Sequence, residues 1–171
     1  VIQLVHGRGE TVGKALVEHP EVPVISFTGS TETGSLIGET CGRMHKRLSL
    51  EMGGKNPLVV LDDADLDVAV DVALQGAFGS TGQRCTASSR LVVTRGIHDR
   101  FVAALTERMQ SWHVGDARMD GTHMGPVVDA TQLAQDENYL AIARNEGGQV
   151  VGGERVERGL AARGDRPGVG I

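Results

Sequence analysis

The chain has 171 residues, 40% of them hydrophobic, enough length and apolar content for a buried core. Its formal net charge of −5 argues against the basic face that nucleic acid requires, and its basic run Lys46-Arg47 is too short for an anionic-membrane patch. No apolar run approaches the roughly 18 residues of a membrane helix, no signal peptide opens the chain, and the two cysteines have no metal-ligand spacing, so free thiols in a reducing cytoplasm are expected.

The 24 glycines, about twice the usual share, fall mostly at turns between apolar runs. With aromatics at 3%, the core has to be built from Val, Leu, Ala and Ile. Val1 to Val5 reads as a buried strand that starts in mid-pattern, as in a piece of something longer. Thr11 to Glu18 is a short helix ended by Pro20, and Val22 to Phe27 is a strand apolar enough to be covered on both faces, as in a parallel sheet. It runs into Thr28-Gly29-Ser30-Thr31-Glu32-Thr33-Gly34 and a helix with Leu36, Ile37 and Met44 inward. With Leu48–Glu51 as the next strand, this predicts a βαβ unit.

Leu58 to Leu61 is a further strand, and Asp62-Asp63-Ala64-Asp65 marks a helix start, where acids meet the positive end of the helix dipole. Leu66, Ala69, Val70, Ala73, Leu74 and Ala77 then recur at helical spacing. Leu91–Thr94 is a strand, and His98 to Trp112 a helix with Phe101, Leu105, Met109 and Trp112 on one stripe. Gly125 to Asp129 is a loop, Thr131 to Asn145 a helix, Gln149 to Val151 the start of a strand, and residues 159–171 an irregular Gly/Arg-rich tail. The fold class is α/β, with the most hinge-like point at Gly53-Gly54.

Two segments carry candidate chemistry. Cys85 sits among Gln83, Arg84, Thr86, Ser88 and Ser89, too polar a setting for a core strand. Arg84 and local backbone N–H groups would favour its thiolate, against the alternative of an inert small hydrophobe. Cys41, on an apolar helix face, reads as packing. Glu51 is either one half of a surface ion pair with Lys46, Arg47 or Lys55, or a base projecting into a cleft. Thr28–Gly34 could cradle a phosphate at a helix start, but it lacks the GxGxxG pattern and the P-loop Lys, Glu32 would oppose an anion, and a plain turn is the simpler reading. The 6 histidines have no metal spacing, and Asp62, Asp63, Asp65 and Asp67 read as a cap and a solvated face.

Taken together, Phe27–Gly34, Leu50-Glu51-Met52-Gly53-Gly54-Lys55-Asn56-Pro57, Gly82–Arg90 and Met124–Asp129 resemble, in order and spacing, segments of the NAD(P)-dependent aldehyde dehydrogenase superfamily. The resemblance runs to about Gly153. It implies that residues 1–52 are the C-terminal part of a Rossmann-like cofactor-binding domain and residues 53–158 the N-terminal part of an α/β catalytic domain. It implies aldehyde oxidation to a carboxylic acid, with Cys85 as the nucleophile passing through a thiohemiacetal and a thioester. Glu51 would be the base that activates water, and the Cys85 backbone N–H half of an oxyanion hole. Gly29, Ser30 and the Met52 backbone would contact NAD or NADP, and Gln132 its ribose side.

Relative to the family, the chain lacks the first half of the cofactor domain, the oxyanion Asn, the ribose-holding Lys, a later Glu-Ile-Phe-Gly-Pro-like segment and the oligomerisation strands. The resemblance therefore implies a central fragment, inactive alone, of a cytoplasmic homo-oligomeric enzyme acting on a small-molecule aldehyde. The alternative is a non-catalytic truncated or assembly module derived from such an enzyme.

Overall fold

In the computed structural model of the chain, residues 1–154, 156–158 and 168–170 are described, the last three and 157–158 by their backbone alone. The chain divides into two compact units, Val1–Gly54 and Lys55–Ile171.

In the first unit a π-helical turn, Gly9–Gly13, runs into helix α1, Lys14–Glu18. Lys46 Nζ closes the helix end by donating to the Val17 and His19 carbonyls, both at 2.6 Å, which satisfies acceptors a helix C-terminus leaves open. Strand β1 (Val24–Gly29), helix α2 (Thr31–Arg43) and strand β2 (Arg47–Met52) make the expected βαβ unit. The strands are parallel, with Phe27 opposite Leu50, Thr28 opposite Glu51 and Gly29 opposite Met52.

Three expectations in this unit are corrected. Val1 to Val5 is not a strand: no described strand pairs with it, and Val1, Ile2, Leu4 and Val5 are exposed. Strand β1 is covered on one face only. Ile25 and Phe27 alternate with exposed Val24, Ser26 and Thr28, and Leu48 and Leu50 alternate with exposed Arg47, Ser49 and Glu51. The polar members of that alternation put the second face in solvent. On α2 the covered stripe is Gly34, Ile37, Gly38 and Cys41, one helical face with Cys41 only 1% exposed, so Cys41 packs as expected. Leu36 falls off that stripe and is 62% exposed, and Met44 lies past the helix end.

The second unit repeats the strand–helix–strand plan. Strand β3 (Asn56–Val60), helix α3 (Leu66–Phe78) and strand β4 (Ser88–Val93) are followed by helix α4 (His98–Gln110). The Asp65 side chain caps α3 by accepting from the Val68 N–H at 3.1 Å. Parallel β3 and β4 lie against α3 and α4, and the core between them is Val60, Val70, Ala73, Ile97 and Phe101. Arg108 ties the two helices by pairing with Asp71 and, at 3.9 Å, with Asp67.

After α4 the chain makes a clasp in which Val114 bridges Met124, the Trp112 and His123 rings stack at 5.6 Å, and His123 Nδ1 accepts from the His113 N–H at 3.0 Å. Within it the Arg118 guanidinium, 2.6 Å from Asp116, hydrogen-bonds that carboxyl and holds it down from 3.8 to about 2. Helix α5 (Ala130–Asn145) is capped by Asp129, which accepts from the Gln132 N–H at 2.9 Å. Gln149 to Val151 forms no strand, and among the described residues no ladder partner meets it. Of the tail expected to be irregular, 159–167 and 171 lie outside the described residues, while strand β6 (Gly168–Gly170) pairs antiparallel with β5 (Val156–Arg158). Among the described residues, no helix is long and apolar enough to cross a membrane.

Phe101 is the largest side chain buried in the core. Phe101→Ala is expected to cost about 3–5 kcal/mol, read as a fall in the urea midpoint followed by far-ultraviolet circular dichroism. A loss below about 1 kcal/mol would contradict this account of the core.

Candidate active site

The first unit gathers four of the expected site residues at one edge. At the carboxyl ends of the parallel pair, β1 delivers Gly29 and Ser30 while β2 delivers Glu51 and Met52. Ser30 is the N-cap of α2, its Oγ accepting from the Thr33 N–H at 3.1 Å. The N–H groups of Thr31 and Glu32, in the first turn, have no acceptor within the helix. The backbone is close-packed here. A side chain at Gly29 would meet the Phe27 ring at 2.5 Å, and one at Gly34 would meet Met52 Sδ at 2.4 Å. Glu51 is exposed, with its side chain on the open face of the strand pair.

This edge fits part of a dinucleotide. The space beside Gly29 is taken by the Phe27 ring, so what this edge offers a nucleotide backbone is the first-turn N–H donors of Thr31 and Glu32. The Glu32 carboxylate in the same turn disfavours a full phosphate charge directly over it.

The second unit holds Cys85 on the return from α3 to β4. The thiol is exposed, as its polar neighbours suggested, while Cys41 is buried. The loop starts with three consecutive left-handed residues, Ser80 (φ 55°), Thr81 (φ 57°) and Gly82 (φ 67°). Such a conformation costs a non-glycine residue about 1–2 kcal/mol, so the loop is held against its own preference. Arg84 does not serve the thiol in the way its position suggested. Its guanidinium reaches back to the end of α3 and donates to the Gln75 carbonyl at 2.8 Å, a carbonyl that also accepts the Gly79 N–H, so the helix end carries two donors on one acceptor. Beyond it, the Ala87 N–H returns to the Arg84 carbonyl at 2.9 Å, closing a turn across Cys85 and Thr86.

Gln132 stands in the first turn of α5, its side-chain amide donating to Asp136 at 2.8 Å. It lines a cavity of about 1030 Å³ within the second unit, together with Thr81 and Gln83 of the Cys85 loop and with Phe78, Trp112 and Tyr139. The loop and Gln132 therefore border one space. Glu51 belongs to the first unit and Cys85 to the second, and Gly53, Gly54 and Lys55 separate their strands β2 and β3 in the sequence. Among the described residues no cluster of His, Cys, Asp or Glu could hold a metal ion. Sequence reasoning passed over Asn56, whose amide reaches the Cys85 carbonyl at 2.6 Å. Its signal was membership of the Leu50–Pro57 segment, between Lys55 and Pro57, with nothing there to tie it to Cys85.

A parallel βαβ unit with a bare turn and an acid at its carboxyl edge, followed by an α/β unit that presents a thiol, defines a Rossmann-like α/β protein. The model of the aldehyde dehydrogenase family matches residues 1–165, and the chain belongs to that family. It is 42% identical over 160 residues to alpha-ketoglutaric semialdehyde dehydrogenase of Bacillus subtilis, an alignment covering 93% of this chain and 33% of that protein. Among solved structures, betaine aldehyde dehydrogenase of Staphylococcus aureus in complex with NAD+ superimposes with a TM-score of 0.84 at 40% identity, covering 89% of this chain and 30% of that one. An E. coli NADP-dependent enzyme does so with a TM-score of 0.84 at 42% identity, covering 87% and 31%. The chain thus spans about a third of the length of the relatives it matches.

Gly82 is the third left-handed residue of the loop, and a methyl group there would lie 2.8 Å from the Ala77 carbonyl oxygen. Gly82→Ala is expected to destabilise the chain by about 1–2 kcal/mol, measured by urea denaturation. An unchanged midpoint would refute this description of the loop.

Proposed function

We propose that these residues are the central part of an NAD(P)-dependent aldehyde dehydrogenase, residues 1–52 closing its cofactor domain and 53–158 opening its catalytic domain. The observation that carries the reading is the exposed thiol of Cys85 on a loop anchored at both flanks, in a chain that belongs to this family. The Cys85 thiolate attacks the aldehyde carbon, forming a C–S bond as the carbonyl π pair moves onto oxygen. A tetrahedral adduct makes an otherwise poor hydride donor competent. The Cys85 N–H stabilises the developing oxyanion. The nicotinamide cofactor, when bound, supplies the hydride acceptor, and Gly29, Ser30 and Met52 would hold it, with Gln132 on its ribose side. Glu51 takes a proton from the water that attacks the resulting thioester, and the Cys85 thiolate leaves as the acid is released.

Two structural neighbours, one solved with NAD+ and one NADP-dependent, support either cofactor. The family match supports a small-molecule aldehyde, and the net charge of −5 and two free cysteines support a cytoplasmic setting with no nucleic acid or membrane partner; the longer protein would be a homo-oligomer. The 171 residues alone are read as inactive, because one lost oxyanion donor alone costs about 10²–10³ in rate. A non-catalytic module derived from the same family is the second reading, favoured by the span of about a third of the relatives' length.

Two measurements test this. In a polypeptide of the relatives' length that carries these residues, Cys85→Ala is expected to abolish aldehyde-dependent NAD(P)H formation, and Glu51→Gln to keep a single-turnover burst while losing steady-state rate. Retained turnover in Cys85→Ala would overturn the assignment. The 171-residue chain alone is expected to form no NAD(P)H above its own Cys85→Ala control, and measurable formation would contradict that part of the reading.

A further inference from the structure

Asn56 is the first residue of β3, half-buried, and takes no part in the chemistry described above. Its Nδ2 donates to the Cys85 carbonyl at 2.6 Å and, more weakly, to the Ala87 carbonyl at 3.5 Å. Both partners are acceptors, so the nitrogen and not the oxygen of the amide has to face them. The β3–β4 register shifts at this point, from Asn56 opposite Ser88 to Pro57 opposite Arg90, so that Ser89 is extra and the strand bends where the loop enters the sheet.

On the other flank Arg84 is fastened to the end of α3 through the Gln75 carbonyl. Cys85 is therefore the residue between two side-chain anchors on separate elements, inside a turn closed by the Ala87 N–H. A turn fixes its own closure and leaves the tilt of its middle peptide free to rock. A donor on the Cys85 carbonyl removes that freedom, because rotating the peptide plane would break the 2.6 Å bond.

We propose that Asn56 is the positioning residue of the Cys85 thiol: by pinning the peptide between Cys85 and Thr86 to strand β3 it sets the direction in which the Cys85 Sγ points. This rests on the reading of Cys85 as the nucleophile. Asn56 touches no reacting atom and acts through the backbone. An isosteric Asp at this position would set a carboxylate oxygen against two carbonyl oxygens and drive them apart, whereas a protonated Asp regains one donor. A Leu keeps the bulk and has no donor in either state.

The test uses nuclear magnetic resonance on the 171-residue chain and needs no turnover, so its failure leaves the assignment of Cys85 to the activity experiment above. In the unsubstituted chain a scalar coupling across the hydrogen bond between Asn56 Nδ2 and the Cys85 carbonyl carbon is expected, with Hα–Hβ couplings of one Cys85 rotamer. In Asn56→Leu and Asn56→Asp at neutral pH the couplings should average, and hydrogen-exchange protection of the Ala87 amide should fall about fivefold, the share of one hydrogen bond of ordinary net strength. Protection of the Val70 amide in the core should stay unchanged. As pH is lowered towards about 4, where an ordinary Asp protonates, Asn56→Asp should recover protection and Asn56→Leu should not. Unchanged rotamer couplings in Asn56→Leu, or Asp and Leu variants that behave alike at every pH, would overturn the proposal. Should both variants fail to fold, absence of the hydrogen-bond coupling in the unsubstituted chain would overturn it.

Discussion

Parallel pairing is the constraint on which both units depend. Two parallel strands cannot be joined by a tight turn, so the chain has to leave the end of one, cross through a helix and re-enter at the start of the next. It does so from β1 through α2 to β2 and again from β3 through α3 to β4. Each crossing creates two kinds of loop, one at the carboxyl edge and one at the amino edge. The chain uses one of each. The Gly29–Ser30 turn leaves the carboxyl end of β1, beside Glu51 and Met52, whereas the Cys85 loop is a return loop and enters the amino end of β4. That placement explains why the first residue of β3, not the last, is the one that reaches the thiol loop.

The local rules were readable where one residue type decides the outcome. The acid run ending in Asp65 announces a helix because a carboxylate satisfies first-turn N–H groups, and Asp65 does so here; Asp129, read as the end of a loop, does the same for α5. The Val70–Ala73–Leu74 spacing of α3 names its buried face. Apolar runs without a polar alternation were harder, because hydrophobicity states that a segment wants cover and not whether a neighbour exists to cover it. Val1 to Val5 and Gln149 to Val151 have the composition of strands and no described partner. Leu36 misled for a related reason: Gly34 and Gly38 hold the close-packed stripe of α2 against β1 and β2, and a glycine gives no hydrophobic signal.

At the candidate site the residue types were legible and their tethers were not. A thiol among polar neighbours is visible in sequence, and so is an acid entering a glycine turn. Which group Arg84 would serve was not, because its guanidinium can reach either the thiol or the end of a helix, and here it joins the Gly79 N–H on the Gln75 carbonyl. The Asn56 contact joins residues far apart in the chain through a backbone carbonyl, an acceptor every residue possesses, so no side-chain pattern announces it.

The clasp that follows α4 has a practical bearing on any spectroscopy of this chain. Its 1 tryptophan, Trp112, is stacked on His123 in that clasp and is not a member of the Val60–Phe101 core. Intrinsic fluorescence therefore reports the opening of a local ring pair, and a transition followed by emission can precede the loss of the strand–helix–strand framework. Two optical probes of this one chain would watch two different events, and their midpoints need agree only if the clasp and the core unfold together.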